Sequence, residues 1–155
     1  MKKALWLLVI AFAAGLIAAG CGDDDDDGGD EGEAPTKQEF IAQADRICSE
    51  SDARIESAAE ERFGQSNQEP SAAEQEQFVT ETVIPEIEGQ IDGVDELTSP
   101  EGDEDEIQAI VDAGNEGIDA GKEDPSLFQQ EGGGEDPLAE ASRLAQEYGL
   151  KVCGA

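Results

Sequence analysis

Apolar residues recur every three or four positions in two long segments of the chain. Residues 40–58 and residues 83–97 both show this spacing, which is typical of one face of an α-helix. Each segment follows a capping-box pattern, in which Ser or Thr precedes Glu by three residues and can satisfy the free N–H groups of a first helical turn. We expect the first helix to end at Gly64. The two capping pairs are Thr36 with Glu39 and Ser71 with Glu74.

Pro85 interrupts the second apolar segment. Proline has no N–H to donate within a helix, and its ring clashes with the preceding turn. The segment is therefore expected to form either one kinked helix or two helices placed end to end.

A third helix is expected after the break at Ser99-Pro100. The acidic cluster at residues 101–106 precedes apolar residues at helical spacing, and carboxylates in a first turn complement the helix dipole. This cluster is therefore interpreted as structural. Gly114 lies on the apolar face of the same helix, where the lack of a side chain would permit another helix to approach closely.

The last predicted helix has Asp136 as its N-cap and Pro137 at its first position, and it stops at Gly149. The glycine-broken segment 122–137 before it predicts a loop, in which Leu127 and Phe128 dock as a short turn.

No segment of useful length alternates between apolar and polar residues as a half-buried strand would. The predicted fold class is therefore all-α. We expect about four helices in a small antiparallel bundle that occupies residues 36–155.

The N-terminus has the layout of a secretory signal peptide. Lys2 and Lys3 precede an uncharged run, and small residues come directly before Cys21. A cysteine directly after Ala-Ala-Gly resembles the lipobox of bacterial lipoproteins, here with Ala18 at the position where leucine is commonest. The resemblance implies a signal peptide over residues 1–20, its removal, and acylation of Cys21, which would anchor the protein to the outer face of the cell membrane.

An uncleaved transmembrane anchor is the alternative interpretation of the same segment. Ala4–Gly20 contains 17 apolar or small residues, and the lower limit for a membrane-spanning helix is about 17. In both cases the N-terminal lysines remain inside, and the chain after Cys21 faces outward.

Residues 21–35 link this segment to the helical region. After the cysteine they contain eight carboxylates and no cation, so we expect a disordered tether that holds the domain away from the membrane. A calcium loop is a second interpretation, because Asp23, Asp25, Asp27 and Gly28 match the first half of the D-x-D-x-D-G pattern. The second half fails, since the twelfth residue, which must be acidic, is Ala34. The sequence predicts no specific metal site.

Acidic residues dominate the charge of the chain, which has 39 Asp and Glu, nine Lys and Arg, and a formal net charge of −30. Residues 36–155 hold 31 of the acidic and seven of the basic residues. Nucleic acid is excluded as a partner, because phosphate contacts need clustered Lys and Arg. Ile, Leu, Val and Phe total only 23 of these 120 residues, which predicts a thin core.

Cys48 and Cys153 are the remaining thiols once Cys21 carries lipid, and they would lie in an oxidising compartment. A disulfide between them would close a loop of about 105 residues and contribute about 4.7 kcal/mol in the chain-entropy model. A redox-active pair is the functional alternative, but such pairs usually occur as C-x-x-C beside positive charge.

Four features occur together in this chain: the lipobox, the acidic tether, the opening TKQEFIAQADRICSE and the ending YGLKVCG. In this combination, which covers nearly the whole chain, it resembles a set of small secreted lipoproteins of high-GC Gram-positive bacteria. The resemblance implies a helical fold, pairing of Cys48 with Cys153 and a surface location. It implies no activity.

The absence of histidine from the whole chain removes Ser-His-Asp and Cys-His nucleophilic sites and histidine-based metal sites. A carboxylate pair could hydrolyse a glycoside, but after residue 20 the chain has no tryptophan, and its few aromatic residues lie mostly at core spacing. We therefore expect no enzymatic activity and no cofactor.

Two functional hypotheses remain. In the first, the domain is an interaction or structural module outside the membrane that binds a protein or a cell-wall component. In the second, the acidic surface itself collects Ca²⁺, Mg²⁺ or a cationic ligand near the membrane.

Overall fold

The computed structural model describes residues 34–64, 69–129 and 136–154. These residues contain no β-strand and form an antiparallel bundle of helices with one disulfide, which confirms the predicted fold class. The elements in chain order are α1 (Lys37–Phe63), α2 (Ala72–Phe78), a π-helical turn (Val79–Val83), α3 (Ile84–Asp95), α4 (Glu104–Glu123), a 3-10 turn (Pro125–Phe128) and α5 (Ala139–Tyr148).

The predictions for the N-terminal part of the chain lie outside the described residues. They are the signal peptide over residues 1–20, the lipidation site Cys21, and the tether together with the half-matched calcium loop, of which only Ala34 and Pro35 are described. Residues 130–135 of the predicted 122–137 loop lie outside them as well.

Both predicted capping boxes are present. The Thr36 hydroxyl accepts the N–H of Glu39 at 3.3 Å, and the Thr36 N–H donates to the Glu39 carboxylate at 2.8 Å. Ser71 and Glu74 make the same pair of hydrogen bonds at the start of α2. The bonds from Thr36 hold the pKa of the Glu39 carboxyl below its usual range, because they favour its ionised form.

Around Pro85, α2 and α3 follow one another end to end, joined by a π-helical turn without an intervening loop. The π-helical turn ends at Val83, two residues before the proline, and the N–H of Ile84 donates to the carbonyl of Val79 five residues back. The wider turn gives the proline ring space against the preceding carbonyls, so the helix continues without the clash that an α-helical turn would create.

Glycines of α4 lie where other elements approach most closely. A Cβ on Gly114 would lie 3.0 Å from Cδ1 of Ile91 on α3, which confirms the close approach predicted at this glycine. A Cβ on Gly117 would collide with the backbone just before α5, and one on Gly121 would overlap the ring of Phe128. The apolar pattern alone did not single out Gly117 or Gly121, because both approaches come from loops.

The start of α5 corrects one prediction. The helix begins at Ala139 with Leu138 as its N-cap, not with Asp136 at the N-cap and Pro137 at the first position. The Asp136 carboxylate accepts the N–H of Leu138 at 2.9 Å instead. An aspartate that accepts the N–H two residues ahead stabilises a turn, and the helix therefore starts two residues later than predicted. Its end at Gly149, with φ 114°, is as predicted.

The main core lies where α1, α3, α4, α5 and the C-terminal segment meet. Phe40 and Tyr148 make an edge-to-face contact there, with ring centroids 5.9 Å apart. A second cluster under the π-helical turn joins Val79, Ile84 and Ile118. The buried residues of the main core are Phe40, Ala44, Cys48, Val94, Ile107, Val111, Ala145, Tyr148 and Leu150.

Candidate functional site

The disulfide joins α1 to the C-terminal segment. Cys48 and Cys153 are bonded, with their Cα atoms 5.2 Å apart and 105 residues apart in sequence. Cys48 belongs to the core and is only 1% exposed, whereas Cys153 is half-buried. Redox-active cysteines lie in accessible, electropositive surroundings. The burial of Cys48 is typical of a structural bond.

Hydrogen bonds to the Asp45 carboxylate also hold the C-terminal segment. Its Oδ1 accepts the backbone N–H groups of Lys151 at 3.0 Å, Val152 at 2.8 Å and Cys153 at 3.4 Å. Hydrogen bonds to a charged acceptor are about twice as strong as neutral ones. The segment after α5 is therefore fixed to α1 through both its backbone and its disulfide. Asp45 lies one helical turn before Cys48, but the sequence pattern alone did not reveal this role.

A small cavity lies beside the disulfide, between α3, α4 and the start of α5. Its volume is about 60 Å³, and Ile91, Val111 and Leu138 are among its apolar lining residues. Pockets for small-molecule ligands usually enclose about 300–1,000 Å³. This cavity is therefore too small for a sugar, a nucleotide or an acyl chain.

A larger concavity lies on the surface between the start of α4 and the end of α5. We call it the α4–α5 groove, and its volume is about 320 Å³. Three of its residues are carboxylates at the rim, and the other three form a mostly apolar floor. The rim consists of Asp105, Glu106 and Glu147, and the floor of Ala109, Leu144 and Tyr148.

A lysine of the protein itself lies at one side of this groove. The Lys37 ammonium is 3.7 Å from the centroid of the Tyr148 ring, and it is 3.8 Å from carboxylate oxygens of both Asp103 and Glu106. The Tyr148 hydroxyl donates to Asp103 at 2.8 Å. Burial, together with this hydrogen bond, raises the pKa of the Tyr148 phenol above its usual range. The arrangement recognises an ammonium group through one aromatic face and two carboxylates.

Few cations are available to balance the acidic surface, and several of them bridge elements. Arg54 of α1 pairs with Glu86 of α3 at 2.7 Å, and Lys122 of α4 pairs with Glu88 of α3 at 2.6 Å. The hydrogen bond to Glu88 raises the pKa of Lys122. These pairs reduce the repulsion between neighbouring helices, each by a small amount because they are exposed.

The described residues, which begin at Ala34, contain neither a group of metal-ligating side chains nor a membrane-spanning helix. No group of three or more Cys, Asp or Glu side chains is placed to share a metal ion in this part of the chain. Among the helices of residues 34–64, 69–129 and 136–154, none is long and apolar enough to cross a membrane.

Comparisons of the chain with family models, with curated proteins and with solved structures found no match.

Proposed function

We propose that this protein is a bacterial lipoprotein, anchored by lipid on Cys21 to the outer face of the cell membrane, where its helical domain acts as an interaction module. The observation that carries the proposal is the segment LIAAGC at residues 16–21, which follows two lysines and an apolar run and precedes a purely acidic stretch. Two acyl chains provide a stable anchor, whereas one chain alone is marginal.

The disulfide supports an extracytoplasmic location. Structural disulfides persist in oxidising compartments and are rare in the cytosol of ordinary bacteria. The bond between Cys48 and Cys153 closes a loop that spans most of the helical domain. A domain with a thin core and a large negative charge gains much from such a bond, but only where it stays oxidised.

An interaction role, without catalysis, fits the chemistry that the chain offers. It contains no histidine, and the groove between α4 and α5 brings together carboxylates and an apolar floor. Those groups can recognise a cationic or amphipathic partner, but they include no activated nucleophile.

Membrane fractionation tests the anchor. Expressed in a bacterium, the native chain should sediment with membranes, resist a high-salt wash and be released by detergent. Protease added to cells stripped of their wall should degrade its helical domain. The Cys21→Ser variant should accumulate as a larger precursor that retains residues 1–20. Equal processing of both chains would contradict the proposal.

The alternative proposal is that the acidic surface collects divalent cations. It draws support from the excess of 31 acidic over seven basic residues in 36–155. Calorimetry with Ca²⁺ separates the two: saturable binding tighter than about 10⁻³ M, the weak end of extracellular calcium modules, would favour cation binding. Weak, non-saturating heats that disappear in salt would favour the interaction module.

A further inference from the structure

We propose that the α4–α5 groove binds a lysine side chain from a basic segment of a partner protein. The inference rests on the proposed interaction role and names both the surface and the chemistry of the partner. Lysine is suited to such a groove, because its long methylene stem can lie on an apolar surface while its ammonium group meets the carboxylates.

The floor of the groove leaves apolar surface uncovered. Leu144 is only half-buried and belongs to neither of the two core clusters, and Ala109 beside it is exposed. Tyr148 below them is buried and fixed by its hydrogen bond to Asp103. The floor is therefore rigid at its base and open to a methylene chain above.

The rim supplies negative charge that the protein itself does not fully balance. Glu147 pairs with Arg143 at 2.6 Å, and Glu106 lies 3.8 Å from the Lys37 ammonium. Asp105, in the first turn of α4, has no ion-pair partner among the described residues. An incoming ammonium would meet at least one free carboxylate and two that are only partly neutralised.

Lys37 shows how this surface holds an ammonium group. Its own ammonium lies against the Tyr148 ring and between two carboxylates, at the side of the groove formed by Glu106. The ammonium group of the partner's lysine would contact Asp105 and Glu147, with which Lys37 forms no ion pair. The volume of about 320 Å³ is at the lower end of the range for ligand sites, about 300 Å³, and suits one long side chain better than a folded metabolite.

The test titrates the full chain, labelled with ¹⁵N and kept in zwitterionic detergent micelles, with a penta-lysine peptide at low salt. Amide shifts that saturate together should be concentrated at Asp105, Ala109, Leu144 and Glu147. The acidic stretch at 22–35 also attracts the peptide, so the position of the shifts is part of the result.

Two variants and one matched control examine the rim and the floor separately. Asp105→Asn with Glu147→Gln should weaken binding at the groove about fivefold, the loss expected for two exposed ion pairs of about 0.5 kcal/mol each. Leu144→Ser should weaken it as well, without a change of charge. Glu116→Gln with Glu123→Gln makes the same charge change farther along α4, at exposed residues outside the groove, and should weaken it less than twofold.

Shifts spread evenly over the acidic faces, or an equal loss in the control pair, would overturn the proposal and indicate non-specific attraction to the net charge. An unchanged affinity in Leu144→Ser would overturn the role of the floor. Because these titrations use purified protein, their failure leaves the lipid-anchor proposal intact. If Cys21 is not processed in cells, a titration that is specific to the groove would still support lysine binding there.

Discussion

Removal of the disulfide should make the stability of the domain depend strongly on salt. The change is Cys153→Ser, made together with Cys21→Ser so that Cys48 is the single remaining thiol and no disulfide can form within the chain. Cys153 is half-buried, so serine fits there more easily than at Cys48, which is 1% exposed. The disulfide joins cysteines that are 105 residues apart in sequence. The chain-entropy model gives a stabilisation of about 4.7 kcal/mol for a closed loop of about 100 residues.

That loss is large beside the total stability of a domain, which is about 5–15 kcal/mol. The backbone N–H groups that donate to Asp45 keep these hydrogen bonds in the variant, but the bonds fix only the C-terminal segment and do not shorten the loop in the unfolded chain. Repulsion among the 31 acidic residues opposes the folded state further. We therefore expect a largely unfolded variant in dilute buffer.

Salt should reverse the effect. The screening length falls from about 10 Å at 0.1 M to about 3 Å at 1 M, so repulsion between neighbouring helices is largely removed in molar KCl. Circular dichroism at 222 nm, recorded against KCl concentration, should show helicity returning in the double variant. Cys21→Ser alone, with the disulfide intact, is the matched control and should stay folded throughout. Full helicity and an unchanged melting temperature of the double variant at low salt would refute the reasoning.

Three further predictions concern individual residues. Asp45→Asn should cost about 1–2 kcal/mol in urea unfolding and speed amide exchange in residues 151–153, because the acceptor loses its charge; slow exchange there would contradict it. Gly121→Ala should cost about 1–3 kcal/mol because its Cβ meets the Phe128 ring, whereas Gly89→Ala, which has open space, should be neutral or stabilising by up to about 1 kcal/mol. For Tyr148, burial and a hydrogen bond to Asp103 raise the pKa of the phenol in the folded protein. The neutral phenol therefore contributes fully to the free energy of unfolding below about pH 10, and this contribution is lost as the pH rises beyond that value. It is the only tyrosine, so phenolate absorbance at 295 nm should rise only as the helices unfold, and titration near pH 10 in folded protein would contradict this.

The features predicted correctly from the sequence are those that depend on neighbouring residues. The capping boxes at Thr36 and Ser71 act within one helical turn, and a short 3-10 turn at Leu127 and Phe128 forms where the glycine-broken segment begins. The start of α5 was predicted wrongly, because Asp136 can cap either a helix or a tight turn and the local sequence pattern does not distinguish the two.

The features that the sequence did not reveal join residues distant along the chain. Asp45 receives N–H groups more than 100 residues away, and Tyr148 donates to Asp103 across 45 positions. No periodic pattern marks such partners, because the pattern reports only which face of a helix is apolar. The groove likewise results from the way α4 and α5 lie side by side. Its Leu144 has the spacing of a core residue but remains half exposed.

Mass spectrometry of the N-terminal peptide from the mature protein tests the central claim most directly. Protein purified from bacterial membranes and digested with protease should give a first peptide that begins at Cys21 and carries the mass of a diacylglyceryl group on its sulfur. No peptide from residues 1–20 should be recovered with it. A mature chain that retains residues 1–20, or that begins at Cys21 without lipid, would contradict the account, and the first of these results would favour the uncleaved transmembrane anchor.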